Sequence, residues 1–292
     1  MAERAPPYLL AWDYPEAVRL ESQHLLWKLH TGYTLHPSIP ITDDMSIADL
    51  GPGTGIWALE LASELPATAH ITGYDFSDLS FPVNDYWPEN VSLEILNCLG
   101  EIPDNLVAQF DVVHLRMWAF VIRGNDPSTL IRNAVKMLKP GGYLQWEDAR
   151  FNSVVMRGEA ATRIREMMRA ANRATNTDFR WLDSLQTHLS EATRGDLETL
   201  TLKQTDPWSA PYLIPLCTDS FMLALESSGK MLDRLQQVSP LAENEDVPSQ
   251  AEWNAALAAL REELKRPESE GGGQFHWLPV TYLGRKRGID GC

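Results

Sequence analysis

Apolar residues come in short runs in the first half of the chain and at three- and four-residue spacing in the second. The first pattern suits buried strands, the second suits helices. Runs at 46–51 (SIADLG), 69–77 (AHITGYDFS), 91–98 (VSLEILNC), 110–118 (FDVVHLRMW) and 141–149 (GGYLQWEDA) each predict a strand. The intervals read as helical, most clearly 127–139. There Asp126 can cap, Pro127 takes the first helical position, and Leu130, Ala134 and Leu138 stack four residues apart before Pro140-Gly141-Gly142 stops the helix. Five strands alternating with helices predict a mostly parallel, doubly wound sheet, with any ligand beyond the strand C-termini where the strand order reverses.

Ahead of the strands, residues 13–31 read as an amphipathic helix. Val18, Leu25 and Leu29 share one face with Ser22 and Leu26 beside it, and Glu16, Arg19 and Lys28 are left to water. Gly32 and the HPSIP segment at 36–40 end it. In the second half, Ile164, Met167, Met168 and Ala171 form one apolar stripe. Phe221, Ala224, Leu225, Ser228, Met231, Leu232 and Leu235 form another, and Trp253, Ala256, Leu257, Leu260 and Leu264 a third. All three read as helix faces turned to the core. Residues 197–204 and 275–284 predict a sixth and a seventh strand, and 239–249 and 267–273 read as flexible connections.

Composition removes several function classes. With 292 residues and 44% hydrophobic content the chain can bury a substantial core. No apolar run reaches the length of a membrane span, and the start MAERAPPYLLAWDYPEA lacks the pattern of a secretory signal. Forty acidic side chains against 25 basic ones give a net charge of −15, which disfavours a nucleic-acid partner. Arg285, Lys286 and Arg287 form the one basic cluster, read as a solvated strand end. Cys98, Cys217 and Cys292 are isolated, odd in number and without metal-ligand spacing, so the expectation is ordinary thiols of a cytoplasmic protein and no metal.

Candidate chemistry concentrates at Asp49-Leu50-Gly51-Pro52-Gly53-Thr54-Gly55-Ile56-Trp57, between a strand and a helix. Glycines at 51, 53 and 55 let the backbone turn sharply and approach a ligand, and the helix start offers unpaired N–H groups. A P-loop would end in Gly-Lys-Ser/Thr, and no lysine is present. A dinucleotide fingerprint would place a third glycine where Ile56 stands. The remaining D-x-G-x-G-x-G pattern resembles motif I of class I S-adenosylmethionine methyltransferases. Asp75 ends the second strand twenty residues past Gly55. A carboxylate there can accept from both ribose hydroxyls, or cap the following turn, with Ser77 as an alternative cap. Asp49 would face the methionyl amino group or hold the turn.

Leu138-Lys139-Pro140-Gly141-Gly142 is similar to the segment that class I methyltransferases carry before the fifth strand. The stretch 19–27 (RLESQHLLW), GTGIWALELA at 53–62 and HLRM at 114–117 resemble fungal methyltransferases of secondary metabolism, the LaeA-like set included. The likeness covers most of 8–150. It implies a Rossmann-like fold, an α/β doubly wound sheet of seven mostly parallel strands, with an N-terminal helical lid (1–40), a cofactor-binding half (41–150) and a helical substrate cap with the last two strands (151–292), as one compact domain. S-adenosylmethionine is the implied cofactor, held by Asp49, Gly51, Gly53, Gly55, Asp75, Phe76, Asn97, Cys98, Leu115 and Arg116. Asn97-Cys98 departs from the acidic residue that many relatives place after the third strand for the adenine amino group, although the Asn97 amide oxygen can accept there.

Catalytic candidates lie at strand C-termini: His114 and Glu147, with Asp148 beside them, each with a structural alternative as a hydrogen-bonder or cap. Trp27, Tyr33, Trp118 and Trp146 are the expected substrate contacts, with His24 and His36 near the lid. The segment after strand four, His114-Leu115-Arg116-Met117-Trp118, lacks the Asn/Asp-Pro-Pro-aromatic pattern of nucleobase amino-methyltransferases, and no paired glutamates occur between 111 and 123. The expectation is O- or N-methylation of a small molecule. The alternatives are a LaeA-like regulator and a methyltransferase fold that catalyses a cyclisation or rearrangement without methyl transfer.

Overall fold

The computed structural model describes residues 13–204, 210–239 and 246–288. Residues 1–12, Cys292 and residues 240–245 of the acidic connection, all discussed above, lie outside the described residues. In chain order the strands are β1 (Ser46–Leu50), β2 (His70–Asp75), β3 (Val91–Ile95), β4 (Phe110–Arg116), β5 (Leu138–Ala149), β6 (Val155–Arg157), β7 (Leu197–Gln204), β8 (Gln274–His276) and β9 (Pro279–Lys286). The helices are α1 (Tyr14–Thr31), α2 (Ile56–Ala62), α3 (Ser128–Met137), α4 (Glu159–Ala174), α5 (Leu185–Thr193), α6 (Leu213–Gly229), α7 (Leu232–Val238) and α8 (Gln250–Leu264). Among the described residues none is long and apolar enough to cross a membrane.

Seven strands form one sheet in the order β3-β2-β1-β4-β5-β9-β7, the seven-stranded Rossmann-like arrangement that the sequence pattern and its resemblance imply. The first five run parallel, and β9 lies antiparallel between β5 and β7. Strand order reverses between β1 and β4, where Asp49 stands opposite His114. Ile47, Ala48 and Leu50 of β1 and Val112, Val113 and Leu115 of β4 are fully buried. Both faces are covered, as expected for parallel strands flanked on either side.

The elements depart from the sequence expectation in four places. Between β2 and β3, and between β3 and β4, the chain forms short 3-10 turns at Asn84–Tyr86 and Asp104–Leu106 instead of α-helices. Pro82, Pro88 and Pro103 interrupt those stretches, removing donors and forcing the preceding residues out of helical conformation. Second, α3 stops at Met137 and Leu138 already belongs to β5, so Pro140-Gly141-Gly142 forms an irregularity within the strand, where the pairing shifts between Phe110 and Val112. Third, the expected last strand is divided into β8 and β9, and β8 pairs with β6 in a separate two-stranded sheet.

The fourth departure concerns α1. Its apolar residues Val18, Leu25 and Leu29 are 55%, 59% and 53% exposed, whereas Glu16 and Arg19 are each 4% exposed and Gln23 and His24 are buried. The polar face is turned inward. Burying these charges is tolerable because Arg19 reaches Glu16 with two hydrogen bonds, Nε to Oε2 at 3.0 Å and Nη2 to Oε1 at 2.7 Å, and a third N–H reaches Gln23 Oε1 at 3.2 Å. On the outer side, Lys28 pairs with Glu60 and Glu64 of the α2 region at 2.7 and 3.0 Å. The inward orientation has a measurable consequence in denaturant unfolding. Leu25→Gln should change stability by less than about 0.5 kcal/mol, whereas Arg19→Leu, which strands the Glu16 carboxylate, should cost roughly 3–5 kcal/mol.

Candidate active site

The link from β1 to α2 turns through three left-handed glycines, with φ of +75° at Gly51, +57° at Gly53 and +74° at Gly55. Space is as restrictive as conformation. A Cβ on Gly51 would stand 3.1 Å from Trp118 Cζ2, and one on Gly53 would stand 3.3 Å from Leu20 Cδ1 of α1. The Gly51 N–H donates to Tyr74 O at 2.9 Å, and the Gly53 N–H donates to Asp75 Oδ2 at 3.2 Å, which ties the turn to the end of β2. Burial pushes the Asp75 carboxyl up to about 6, against the backbone amides of Gly53, Ser77 and Phe76 that favour its ionised form.

A cavity of about 520 Å³ opens on this turn. At one end its wall carries Gly51, Gly53, Asp75, Phe76, Asn97, Cys98 and Arg116, roofed by Glu16, Arg19, Leu20 and Gln23 of α1. At the other it carries Phe120, Val121, Phe151, Phe221, Ala224 and Trp277. Trp118 stands between the strand ends and the turn, with its Nε1–H on Leu50 O at 2.9 Å and its backbone N–H on Asp148 Oδ2, also at 2.9 Å. Asp148 also accepts from Trp146 Nε1 and Ala149 N, and complete burial pushes its carboxyl up to about 7.

Beneath the cavity lies a buried charge network. His114 Nδ1 stands 2.8 Å from Asp49 Oδ1 and Nε2 stands 3.7 Å from Glu147 Oε2, and the ring stacks on Trp57 at 3.8 Å. Burial opposes its protonation, but the two flanking carboxylates outweigh that and raise its pKa. Glu147 accepts from Gln145 Nε2 at 3.0 Å, and Gln145 in turn holds the backbone of Thr34 and His36. Arg116 Nη1 meets His24 Nδ1 at 3.0 Å, and His24 Nε2 meets Glu60 Oε2 at 2.5 Å. Burial, followed by the neighbouring Arg116, lowers the His24 pKa. A neutral ring donating to Glu60 and accepting from Arg116 satisfies both contacts.

The structure sorts the expected residues into two groups. Gly51, Gly53, Asp75, Phe76, Asn97, Cys98, Arg116 and Trp118 converge on the cavity wall. Asp49, Gly55, Leu115, His114, Glu147, Trp27, Tyr33 and Trp146 are not among the described residues that line it. Leu115 is fully buried inside the sheet, and Trp146 packs against Trp181. Trp27 stacks on Trp277 at 5.1 Å and so supports the wall from behind, while half-buried Tyr33 meets His36 edge-on. Fully buried between two carboxylates and absent from the described cavity lining, His114 is not placed to accept a substrate proton. Asp148 caps the turn after β4, not the helix that follows its own strand.

Sequence reasoning misses Glu16, Arg19 and Gln23, because the apolar stripe of Val18, Leu25 and Leu29 points to the opposite face of α1 as the buried one. It also misses Phe120, Phe151, Phe221 and Trp277, which come from four separate stretches of the chain and share no spacing. For the first group a signal exists: Arg19 and Gln23 belong to the stretch 19–27 that resembles fungal methyltransferases.

The turn fits S-adenosylmethionine on observations of this chain alone. Gly51 and Gly53 leave a cradle that side chains would fill, the Asp75 carboxylate flanks it, and the buried Asp49 Oδ2 beside the loop has no hydrogen-bond partner among the described residues. Comparison with known proteins agrees. A methyltransferase-domain family matches residues 35–203. The methyltransferase grgD of Penicillium sp is 32% identical over 184 residues, 60% of this chain and 64% of that protein, so the match spans just under two thirds of the relative. The N-methyltransferase tcpN of Claviceps purpurea is 26% identical over 92% of this chain and 93% of its own. Among solved structures, the 4+2 cyclase SpnF superposes with a TM-score of 0.50 at 16% identity, covering 94% of this chain and 83% of that one, a likeness of fold. Since the family match takes in more than half of the chain, the protein belongs to the methyltransferase-domain family, whose cofactor is S-adenosylmethionine.

Proposed function

We propose that this protein methylates a small-molecule acceptor of secondary-metabolite type, at nitrogen in preference to oxygen. The observation that carries the reading is one cavity whose lining includes Gly51, Gly53 and Asp75 together with the apolar Phe120, Phe151, Phe221 and Trp277, so that cofactor and acceptor can meet in one space. The nitrogen preference is supported by the name of tcpN, which matches along nearly its whole length.

Bound S-adenosylmethionine supplies an electrophilic methyl group on a sulfonium. The chain's part is to bind, orient and exclude water. Gly51 and Gly53 allow close backbone approach, and Asp75 accepts the two ribose hydroxyls. Asn97 keeps its amide NH2 and one lone pair for the adenine edge, since its Oδ1 accepts one bond, from Leu99 N at 3.1 Å. Arg19, steadied by Glu16 and Gln23, retains two N–H groups for the anionic end of the cofactor, and Arg116 faces the same end. Residues 13–40 act as the lid, and the described part of 151–292 supplies the helical substrate cap together with the last two strands, β7 and β9, of the sheet. Buried free thiols at Cys98 and Cys217 support a cytoplasmic location.

Incubation with methyl-labelled S-adenosylmethionine and a fungal metabolite extract should yield a product heavier by one methyl group, with S-adenosylhomocysteine formed alongside. An unchanged product mass with recovered cofactor would instead indicate a non-methylating rearrangement. Asp75→Ala should weaken S-adenosylhomocysteine binding by roughly 1.5–3 kcal/mol, and an unaltered calorimetric affinity would remove Asp75 from the ribose site. Because the carboxylate must be ionised to accept both hydroxyls, wild-type affinity should fall as pH is lowered through about 6, and this dependence should flatten in Asp75→Ala. Gly53→Val, which places a β-branched residue at φ +57° against Leu20, should abolish cofactor binding while far-UV circular dichroism is retained.

A further inference from the structure

The hydroxyls of α6 behave differently along its length. Thr218 Oγ1 and Ser228 Oγ fold back onto carbonyls four residues earlier, Ile214 O at 3.0 Å and Ala224 O at 2.9 Å, the usual way a hydroxyl is satisfied inside a helix. Ser220, between them, makes no such bond, and its hydroxyl has no other partner among the described residues. It is 5% exposed and lines the cavity beside Phe221 and Ala224 of the same helix, with Phe151 and Trp277 on that wall as well. An acceptor that displaces solvent from this wall must replace the hydrogen bond that solvent makes, or leave a buried hydroxyl unsatisfied.

Gln23 offers a second polar group to the same cavity. Helices α1 and α6 run antiparallel, joined near one end by Lys230 Nζ on Asp13 Oδ2 at 2.6 Å and near the other by His30 Nε2 and Cys217 Sγ at 3.2 Å. The middle of α1 therefore lies alongside the middle of α6. Gln23 is 6% exposed, and its Oε1 accepts from Arg19 Nη1 at 3.2 Å. A guanidinium can only donate, so the amide oxygen must face Arg19 and the NH2 must face away from it. That NH2 has no acceptor among the described residues. Gln23 thus presents donors to the cavity, and Ser220 presents a donor and an acceptor.

Resting on the reading that the Gly51–Gly53 end takes S-adenosylmethionine, we propose that the acceptor carries a neutral carbonyl group, whose oxygen receives hydrogen bonds from Ser220 Oγ and Gln23 Nε2 while its apolar body packs on Phe151, Phe221 and Trp277. A carbonyl oxygen has two lone pairs and no hydrogen, which matches donors on two neighbouring helices. A group that only donates has Ser220 as its one partner of this pair and leaves the Gln23 hydrogens unmatched. The group is neutral because the wall at Ser220 is apolar. An ionised group loses more hydration against such a wall than one hydroxyl and one amide return. Ser220 thereby determines specificity: it fixes which edge of the acceptor faces α1 and α6, and so which atom is left toward the cofactor.

The test uses the full chain saturated with S-adenosylhomocysteine and two probes of one shape, 1-indanone and indane, which differ by a carbonyl in place of a methylene. Calorimetry or ligand-observed NMR should show 1-indanone weakened about tenfold by Ser220→Ala and indane changed by less than about twofold. Alanine keeps the space and the helix, so an effect confined to the ketone reads the hydroxyl and not the packing. Gln23→Glu keeps an oxygen toward Arg19 and replaces the NH2 with a second one. It should weaken the ketone relative to indane by about fivefold or more. Should Ser220→Ala fail to fold, Ser220→Cys, a weaker donor of similar shape, should show the same selective loss by a smaller factor. Absence of 1-indanone binding to the loaded protein, an unchanged ketone affinity in a folded variant at either position, or equal loss of both probes would each overturn the proposal. Failure of S-adenosylhomocysteine itself to bind the wild-type chain is a separate result, which would overturn the methyltransferase reading and this one with it.

Discussion

The backbone between β1 and α2 must reverse direction within five residues while leaving an open concave surface at the sheet's C-terminal edge. Three glycines in left-handed conformation meet that constraint. The rest of the site is arranged around them. Trp118 closes against Gly51, Leu20 against Gly53, and Asp75 takes the Gly53 amide, so strand β4, helix α1 and strand β2 are all referenced to one short turn. The turn also stands at the reversal of strand order, the one place in a doubly wound sheet where the flanking connections diverge and leave a crevice.

Around this crevice the chain concentrates ionisable groups that would be costly if left unmatched. Asp49, His114 and Glu147 form one buried set beneath the cavity, and Glu16, Arg19 and Gln23 another on its roof. Arg116, His24 and Glu60 connect roof to core through hydrogen bonds between α1, β4 and α2. Matched charges of this kind contribute less to stability than an apolar core of equal volume, and they hold donors and acceptors in fixed directions. In this protein they hold α1 over the glycine turn, with Arg19 on the cavity wall.

The apolar part of the cavity is built on a different basis. Helices α4, α6 and α8 bury their apolar stripes against one another, and Trp253 bridges two of them through its Nε1–H on Leu225 O at 2.7 Å. Phe221 belongs both to that packed interior and to the cavity wall. The wall of the chamber is therefore continuous with the core behind it.

Local sequence determined what depends on neighbours along the chain. The first five strand runs, the three-glycine turn, the carboxylate at Asp75 and the helical stripes at 164–171 and 253–264 appear where their periodicity and turn chemistry place them, because backbone geometry is set by residues a few positions apart. The seven-stranded sheet followed from these. Tertiary structure alone decided which face of α1 points inward. Val18, Leu25 and Leu29 form a good apolar stripe, yet the buried partners available to α1 are a polar crevice and the charges of Glu60 and Arg116, so the polar face is the one that is satisfied inside. It also decided that His114 and Glu147 sit under the wall, and that Phe120, Phe151, Phe221 and Trp277 meet to form a chamber. Such convergence depends on distances between elements far apart in sequence, and no spacing along the chain encodes it.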